Sequence, residues 1–303
     1  MSGPTCMLAP MSPVPPPRLL LVTAHPDDET MFAGAVFQAT HALGAEADLV
    51  VLTNGEGGFR YATFAESLYR LRLTDEAVAR VHLPALRKQE LLGAARILGL
   101  RDCFFLDQPD TGYSLTPDAL APEGWDVEAV RHQLRERFTH GRYDFLFLMM
   151  PTARTHAHHR LSTLLALEAV AALAPDERPA VLGVSLHTRN GPPQPEGYPI
   201  LALDTPASEG TVPHPLTALR TDTGPFDFDR TRPIGHGGRL DFHVVVNWLI
   251  AEHKSQGLMQ RRMNAADVER YTCFALTSDA GAARARELFE RLATSEMGLS
   301  RNH

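Results

Sequence analysis

Cysteine is scarce: the 303-residue chain holds only Cys6, Cys103 and Cys273. So few, so widely spaced and odd in number, they exclude a disulfide framework and fit a reducing, cytoplasmic setting. No two lie at ligand spacing, which excludes a cysteine-rich zinc site and leaves histidine and carboxylate to hold any metal. No apolar run reaches spanning length, so stable membrane insertion is not expected. Positive charge is short as well, 29 Lys and Arg against 36 Asp and Glu, for a net charge of −7. With no basic run, a nucleic-acid partner is not expected either. The start of the chain lacks a charged segment followed by a long apolar stretch, so it does not read as a signal peptide. Residues 1–17, rich in proline and small residues, read as a flexible leader ahead of one domain over 18–303.

What remains is ordinary globular composition, 44% apolar and 21% charged, in a chain long enough for a sizeable core. Leu19 to Ala24 is a short apolar run of the kind that forms a buried parallel strand. Further strands are expected at 47–53, 102–106, 143–150, 180–186 and 200–203. Helices are expected at 31–43, 84–98, 125–138, 159–173, 241–253 and 282–294, with Gly44 and Gly99 closing two of them and Pro84 in a first turn. Strands alternating with helices imply a single-domain α/β, Rossmann-like fold, a mainly parallel sheet with helices on both faces. Residues 56–83 fit poorly, being too long for a loop between a strand and its helix. They read as a partly helical lid.

His25-Pro26-Asp27-Asp28-Glu29 follows the first strand directly. Sites in open α/β sheets form outside the carboxyl ends of strands. One acid there is explained by the helix dipole. A histidine beside two adjacent, mutually repelling acids is not, and a bound cation would relieve the repulsion. His156-Ala157-His158-His159-Arg160 follows the fourth strand. In the simplest doubly wound order that strand lies beside the first, so the two clusters converge. Two histidines and one aspartate with an open position suit a catalytic zinc, and equally the facial triad of a non-haem Fe2+ oxygenase. The extra acid favours hydrolysis, which needs a base beside the metal-bound water.

These motifs resemble the PIG-L/LmbE zinc-dependent N-deacetylase family. The likeness extends through Thr53-Asn54-Gly55-Glu56-Gly57, Arg87-Lys88-Gln89-Glu90, Asp110-Thr111-Gly112 and His253-Lys254-Ser255-Gln256. Known members deacetylate N-acetylglucosaminyl compounds, including glycolipid precursors and sugar conjugates that lead to low-molecular-weight thiols. The resemblance implies that His25, Asp28 and His159 hold Zn2+, or another divalent ion such as Fe2+. It implies Asp27 as general base, His156 as the group steadying the oxyanion, and Arg87 and Asp110 as sugar-holding residues. The expected partner is a small N-acetylated substrate, an amino-sugar conjugate, and a homo-oligomer is compatible. The family usually carries His-Pro-Asp-His in the second motif where this chain has His-Ala-His-His. His158 therefore rivals His159 as ligand; His159 is preferred because the family register then keeps Arg160 after it.

Other residues invite plainer readings. Glu29 supports the ligands or caps the helix, and His253 meets a helix dipole. Gly55, Gly57 and Gly58 form a turn. His187, His236 and His243 have no ligand spacing, and the arginines of the long loop pair with Glu66, Asp75 and Glu76. Rival functions are hydrolysis of a non-sugar amide, an inactive sugar-binding relative, and the oxygenase.

Overall fold

The apolar run after the leader forms the middle of the sheet. In the computed structural model, which describes residues 15–115, 124–152, 155–189, 214–257 and 265–296, β1 spans Arg18–Thr23. It is flanked on both sides by parallel neighbours, β2 (Glu46–Thr53) and β4 (Phe145–Met149). Leu21 pairs with Leu49 on one side and Phe147 on the other. The alternation of β1 divides the core: Leu19 and Leu21 face one helical layer, Leu20 and Val22 the other. All four are fully buried, each contributing up to about 1.5–3 kcal/mol. That two-sided burial is why the run is apolar throughout.

With β3 (Asp102–Gln108), β5 (Ala180–His187), β6 (Phe226–Asp229) and β7 (Val268–Cys273), the sheet has seven strands in the order β3-β2-β1-β4-β5-β7-β6. The first five are parallel and β7 is antiparallel to both its neighbours. One face carries α1 (Ala33–Leu43), α3 (Glu76–Leu98), α6 (His243–Glu252) and α7 (Asp279–Thr294). The other carries α4 (Val127–Gly141) and α5 (Ala157–Ala171). The fold is the expected α/β one. Strand order reverses between β1 and β4, and the loops after both open at that switch point.

Two sequence expectations need correcting. The helix expected to start at Pro84 begins at Glu76, with Pro84 inside it. The Asp75 side chain caps it, accepting from the amides of Ala77 and Val78. Ala79 and Leu83 bury against Ala62, Ala65 and Leu73, so packing carries the helix back past the proline. Residues 56–83 have the helical content expected of them: a 3-10 turn at Glu56–Tyr61, the short α2 (Ala65–Tyr69) and the start of α3. Strands β6 and β7 were not expected at all. The strand expected at 200–203 lies outside the described residues. Among the described residues no helix is long and apolar enough to cross a membrane.

β7 escaped notice because its inward positions are Glu269, Tyr271 and Cys273, an acid where alternation calls for an apolar residue. Glu269 accepts from the amides of Gly34 and Ala35 at the start of α1, from Arg230 Nε and from the Tyr271 hydroxyl. Arg230 reaches on to the carbonyls of Thr30 and Met31. The buried acid is thus fully partnered, and it fastens the antiparallel edge of the sheet to the segment that follows β1.

Candidate metal centre

At the end of β1 the backbone is pinned before any side chain is placed. The Ala24 carbonyl accepts from both the amide and the hydroxyl of Thr53, each at 2.8 Å. The amides of Ala24 and His25 donate to Asp28 Oδ2 at 3.0 and 2.8 Å. The other Asp28 oxygen is thereby turned outward, 3.1 Å from His159 Nε2. His25 Nδ1 lies 3.0 Å from His159 Nε2 and 3.6 Å from Asp28 Oδ2. Zinc–nitrogen bonds of about 2.0–2.1 Å put neighbouring donors of a tetrahedron about 3.3 Å apart. The three side chains therefore fit a single divalent ion with a fourth position left over.

A second grouping, His25, His156 and His158, is also close, but its nitrogens are committed elsewhere. His158 Nδ1 lies 3.2 Å from His25 Nε2, and its Nε2 lies 3.0 Å from Thr111 Oγ1. His158 is fully buried behind His25 instead of facing the cavity. The tautomer that leaves His25 Nδ1 free as a ligand puts its proton on Nε2, donating to His158, which in turn donates to Thr111. Asp110 backs the same edge, with Oδ2 3.9 Å from His25 Nε2 and Oδ1 3.5 Å from His158 Nδ1. The histidine in place of the family's usual acid thus sits behind His25, apart from the cluster of His25, Asp28 and His159.

The electrostatics call for positive charge. Burial lowers the pKa of His25, but Asp110, Asp28 and Asp27 outweigh it and raise the ring to about 9. Burial raises Asp28, but His159 and hydrogen bonds from both histidines hold it well below the usual carboxylate range. Asp27 goes the other way, to about 7, through burial and then the charge of Asp28; His253, Arg87 and His25 only partly offset this. The Asp27 backbone has φ +123° and ψ −21°. A non-glycine residue there costs on the order of 1–3 kcal/mol, and such strain collects at functional sites.

His156 sits at the start of α5. Its Nδ1 accepts from the His158 amide at 3.0 Å and caps the helix, so its proton is on Nε2, donated to the Gly112 carbonyl at 3.0 Å. Burial, then the charges of His25, His159 and His158, depress its pKa to about 3. The ring is neutral with one N–H.

Arg87 is buried and reaches the Gly55 carbonyl through Nη1, while its Nε and Nη2 have no hydrogen-bond partner among the described residues. The glycine cluster read as a turn has a second reason to be glycine. A Cβ on Gly58 would come within 2.8 Å of Arg87 Nη2, and one on Gly57 within 2.5 Å of Asp110 Oδ1. His253 also corrects its plain reading. It is buried and hydrogen-bonded to Glu29, whose other oxygen accepts from the Asp27 amide at 3.0 Å.

These groups meet in a cavity of about 560 Å³ lined by His25, Asp27, Asp28, Arg87, Asp110, His156 and His159, with Met31, Tyr61, Tyr113 and Met149 as its apolar wall. Residues 20–170, from β1 to the end of α5, match the family described as PIG-L: GlcNAc-PI de-N-acetylase. The chain belongs to the PIG-L family. The PIG-L region contains all three proposed ligands and Asp27, but not Arg230, His253 or Glu269.

Among curated relatives, a 1D-myo-inositol 2-acetamido-2-deoxy-alpha-D-glucopyranoside deacetylase of Catenulispora acidiphila is 40% identical over 105 residues, 35% of this chain and 29% of that protein. Its counterpart in Kribbella flavida is 35% identical over 132 residues, 40% of this chain and 41% of that protein. The matches thus span less than half of either relative. A deacetylase of the teicoplanin biosynthesis pathway superimposes with a TM-score of 0.53 at 15% identity, covering 86% of this chain and 99% of that one. That likeness is one of fold, and it covers most of the chain.

Proposed function

We propose that this chain is a metal-dependent hydrolase that removes an acetyl group from an N-acetylglucosamine-type substrate. The observation that carries the proposal is the convergence of His25, Asp28 and His159 at 3.0–3.6 Å beside the carboxylate of Asp27. The relatives' activity on a 2-acetamido sugar supports the substrate class. The ion would be Zn2+, with Fe2+ or another divalent metal an alternative that availability decides. When bound, it would bring the pKa of a coordinated water to about 7 and polarise the acetamide carbonyl.

The chain's own residues supply the rest. Asp27 takes the proton of the attacking water as its oxygen joins the carbonyl carbon. Having taken that proton, Asp27 can hand it on to the nitrogen as the C–N bond breaks. Acetate and a free amine leave. His156 would turn its Nε2–H from the Gly112 carbonyl to the developing oxyanion. Being neutral, it contributes a hydrogen bond and no charge. The unpartnered donors of Arg87 suit sugar hydroxyls. Asp110, which faces His25 and His158, contributes more by orienting His25 than by holding sugar. Residues 56–83 border the cavity through Gly58 and Tyr61 and would act as its lid.

The decisive measurement is acetate release across a panel of N-acetylated sugars and simple amides with zinc added, run beside oxygen uptake with Fe2+. Release from amino sugars is expected. Oxygen consumption without acetate would favour the oxygenase, and inactivity on every amide would leave a binding protein.

A further inference from the structure

Residues 253–257 lie outside the proposed ligand set, yet α3, the 3-10 turn before α2 and the segment after β1 all meet on them. Ser255 donates through its amide and hydroxyl to the two oxygens of Glu90, at 2.9 and 2.7 Å. Glu90 also accepts from the Tyr69 hydroxyl of α2 at 2.8 Å. Gln256 lines the cavity, and the Gly257 amide donates to the Tyr61 carbonyl at 3.1 Å. His253 reaches the opposite way, to Glu29 Oε1, with both side chains fully buried.

Glu29 spends its second oxygen on the amide of Asp27 at 3.0 Å. On its other side, Asp27 presents its carbonyl to the Thr30 hydroxyl at 2.7 Å. The peptide units flanking Asp27 are thus held from both ends while its φ stands at +123°. Relaxing that angle turns the amide away from Glu29 and swings the carboxylate with it. A buried acid that accepts from one strained amide and one buried histidine has no slack in direction.

We infer that Glu29 and His253 are positioning residues: their buried pair anchors the Asp27 amide and thereby keeps the left-handed backbone that aims the Asp27 carboxylate into the cavity. The inference rests on Asp27 being the base of the proposed hydrolysis. It gives residues 253–256 a part in the chemistry that ligand spacing alone does not reveal. Each acid of the first motif then has its own role, Asp28 as ligand, Asp27 as base and Glu29 as the anchor of the base.

The test uses the zinc-loaded full chain as wild type, Glu29→Ala, Glu29→Gln, His253→Gln and Asp27→Asn, with a substrate from the acetate screen. A base displaced by about 1 Å costs about 10²-fold. Glu29→Ala should lower kcat by about that factor while KM and zinc affinity stay within about threefold of wild type. Glu29→Gln keeps an oxygen for the Asp27 amide and should restore kcat to within about tenfold of wild type. A crystal structure of zinc-loaded Glu29→Ala should show Asp27 φ outside the positive region. Wild-type kcat in Glu29→Ala, equal losses of kcat and zinc affinity, or an unchanged Asp27 φ would each overturn the inference. If Glu29→Ala does not fold, the same readouts on His253→Gln decide. Asp27→Asn separates the two levels: near-normal turnover there sinks the base assignment, while the crystallographic φ still judges the anchoring.

Discussion

Two adjacent aspartates carry opposite shifts because only Asp28 is hydrogen-bonded to the histidines. Asp28 is hydrogen-bonded by two amides and set against His159, so its charged form is favoured. For Asp27, burial and the like charge of Asp28 outweigh the charges of His253, Arg87 and His25, so its neutral form gains. The two should fail differently. Asp28→Ala should lose zinc, read by equilibrium dialysis. Asp27→Asn keeps shape, and asparagine tolerates positive φ better than most residues. It should retain zinc while turnover falls about 10²–10⁴-fold. Neighbouring histidines divide in the same way. His159→Ala should release the metal. His158→Ala leaves the ligand count intact but removes the support behind His25, which should weaken zinc about 10–100-fold. Full retention by His159→Ala with loss in His158→Ala would reverse the assignment. The motif residues were legible in the sequence because each sits at the carboxyl end of a strand that announces itself by its apolar run. The direction each side chain takes was not, since it depends on hydrogen bonds such as His158 to Thr111 that join distant loops.

At the scale of elements, the loop after β2 was the least legible part of the site. Its glycines carry no chemistry of their own, so nothing in the sequence separates a turn from a space left for a neighbour. Gly58 has an ordinary negative φ, so its backbone accepts alanine, but the added methyl meets the Arg87 guanidinium. Gly58→Ala should raise KM about tenfold with kcat and zinc affinity near wild type, the signature of lost uniform binding. A KM equal to wild type would show that Arg87 moves without consequence. Helix α3, which delivers Arg87, teaches the complementary lesson. Proline is a strong punctuation mark in sequence reading, yet here the Asp75 cap and the burial of Ala79 and Leu83 outweigh it. Asp75→Ala should cost about 1 kcal/mol, measurable as a lower denaturant midpoint with an unchanged slope.

For the whole molecule, the buried group formed by Glu269, Arg230 and the start of α1 joins the antiparallel edge of the sheet to the turn that holds Asp27 and Asp28. Removing one partner of such a buried pair typically costs about 3–5 kcal/mol, the range expected for Glu269→Ala in chemical denaturation. That edge was invisible in the sequence because its strand carries a charged residue inward, and a charge is read as a surface marker unless its partners, here 39 positions away for Arg230 and some 235 for Gly34, are known.

The same junction bears on how the activity could be transplanted or trimmed. A fragment ending at His187 would contain every proposed ligand, the base and the whole family-matched stretch, 20–170. It would look self-sufficient to anyone choosing a minimal catalytic unit from motifs. It would nonetheless lack the acid that holds the start of α1 and the histidine behind Glu29. The turn of the proposed metal site would then rest on a helix that lacks the Glu269 and Arg230 contacts at its near end. Such a fragment should show weak zinc binding and a broad, uncooperative melt by circular dichroism. Designers grafting this motif onto another doubly wound scaffold would have to bring a substitute for a strand that stands apart from the proposed metal site.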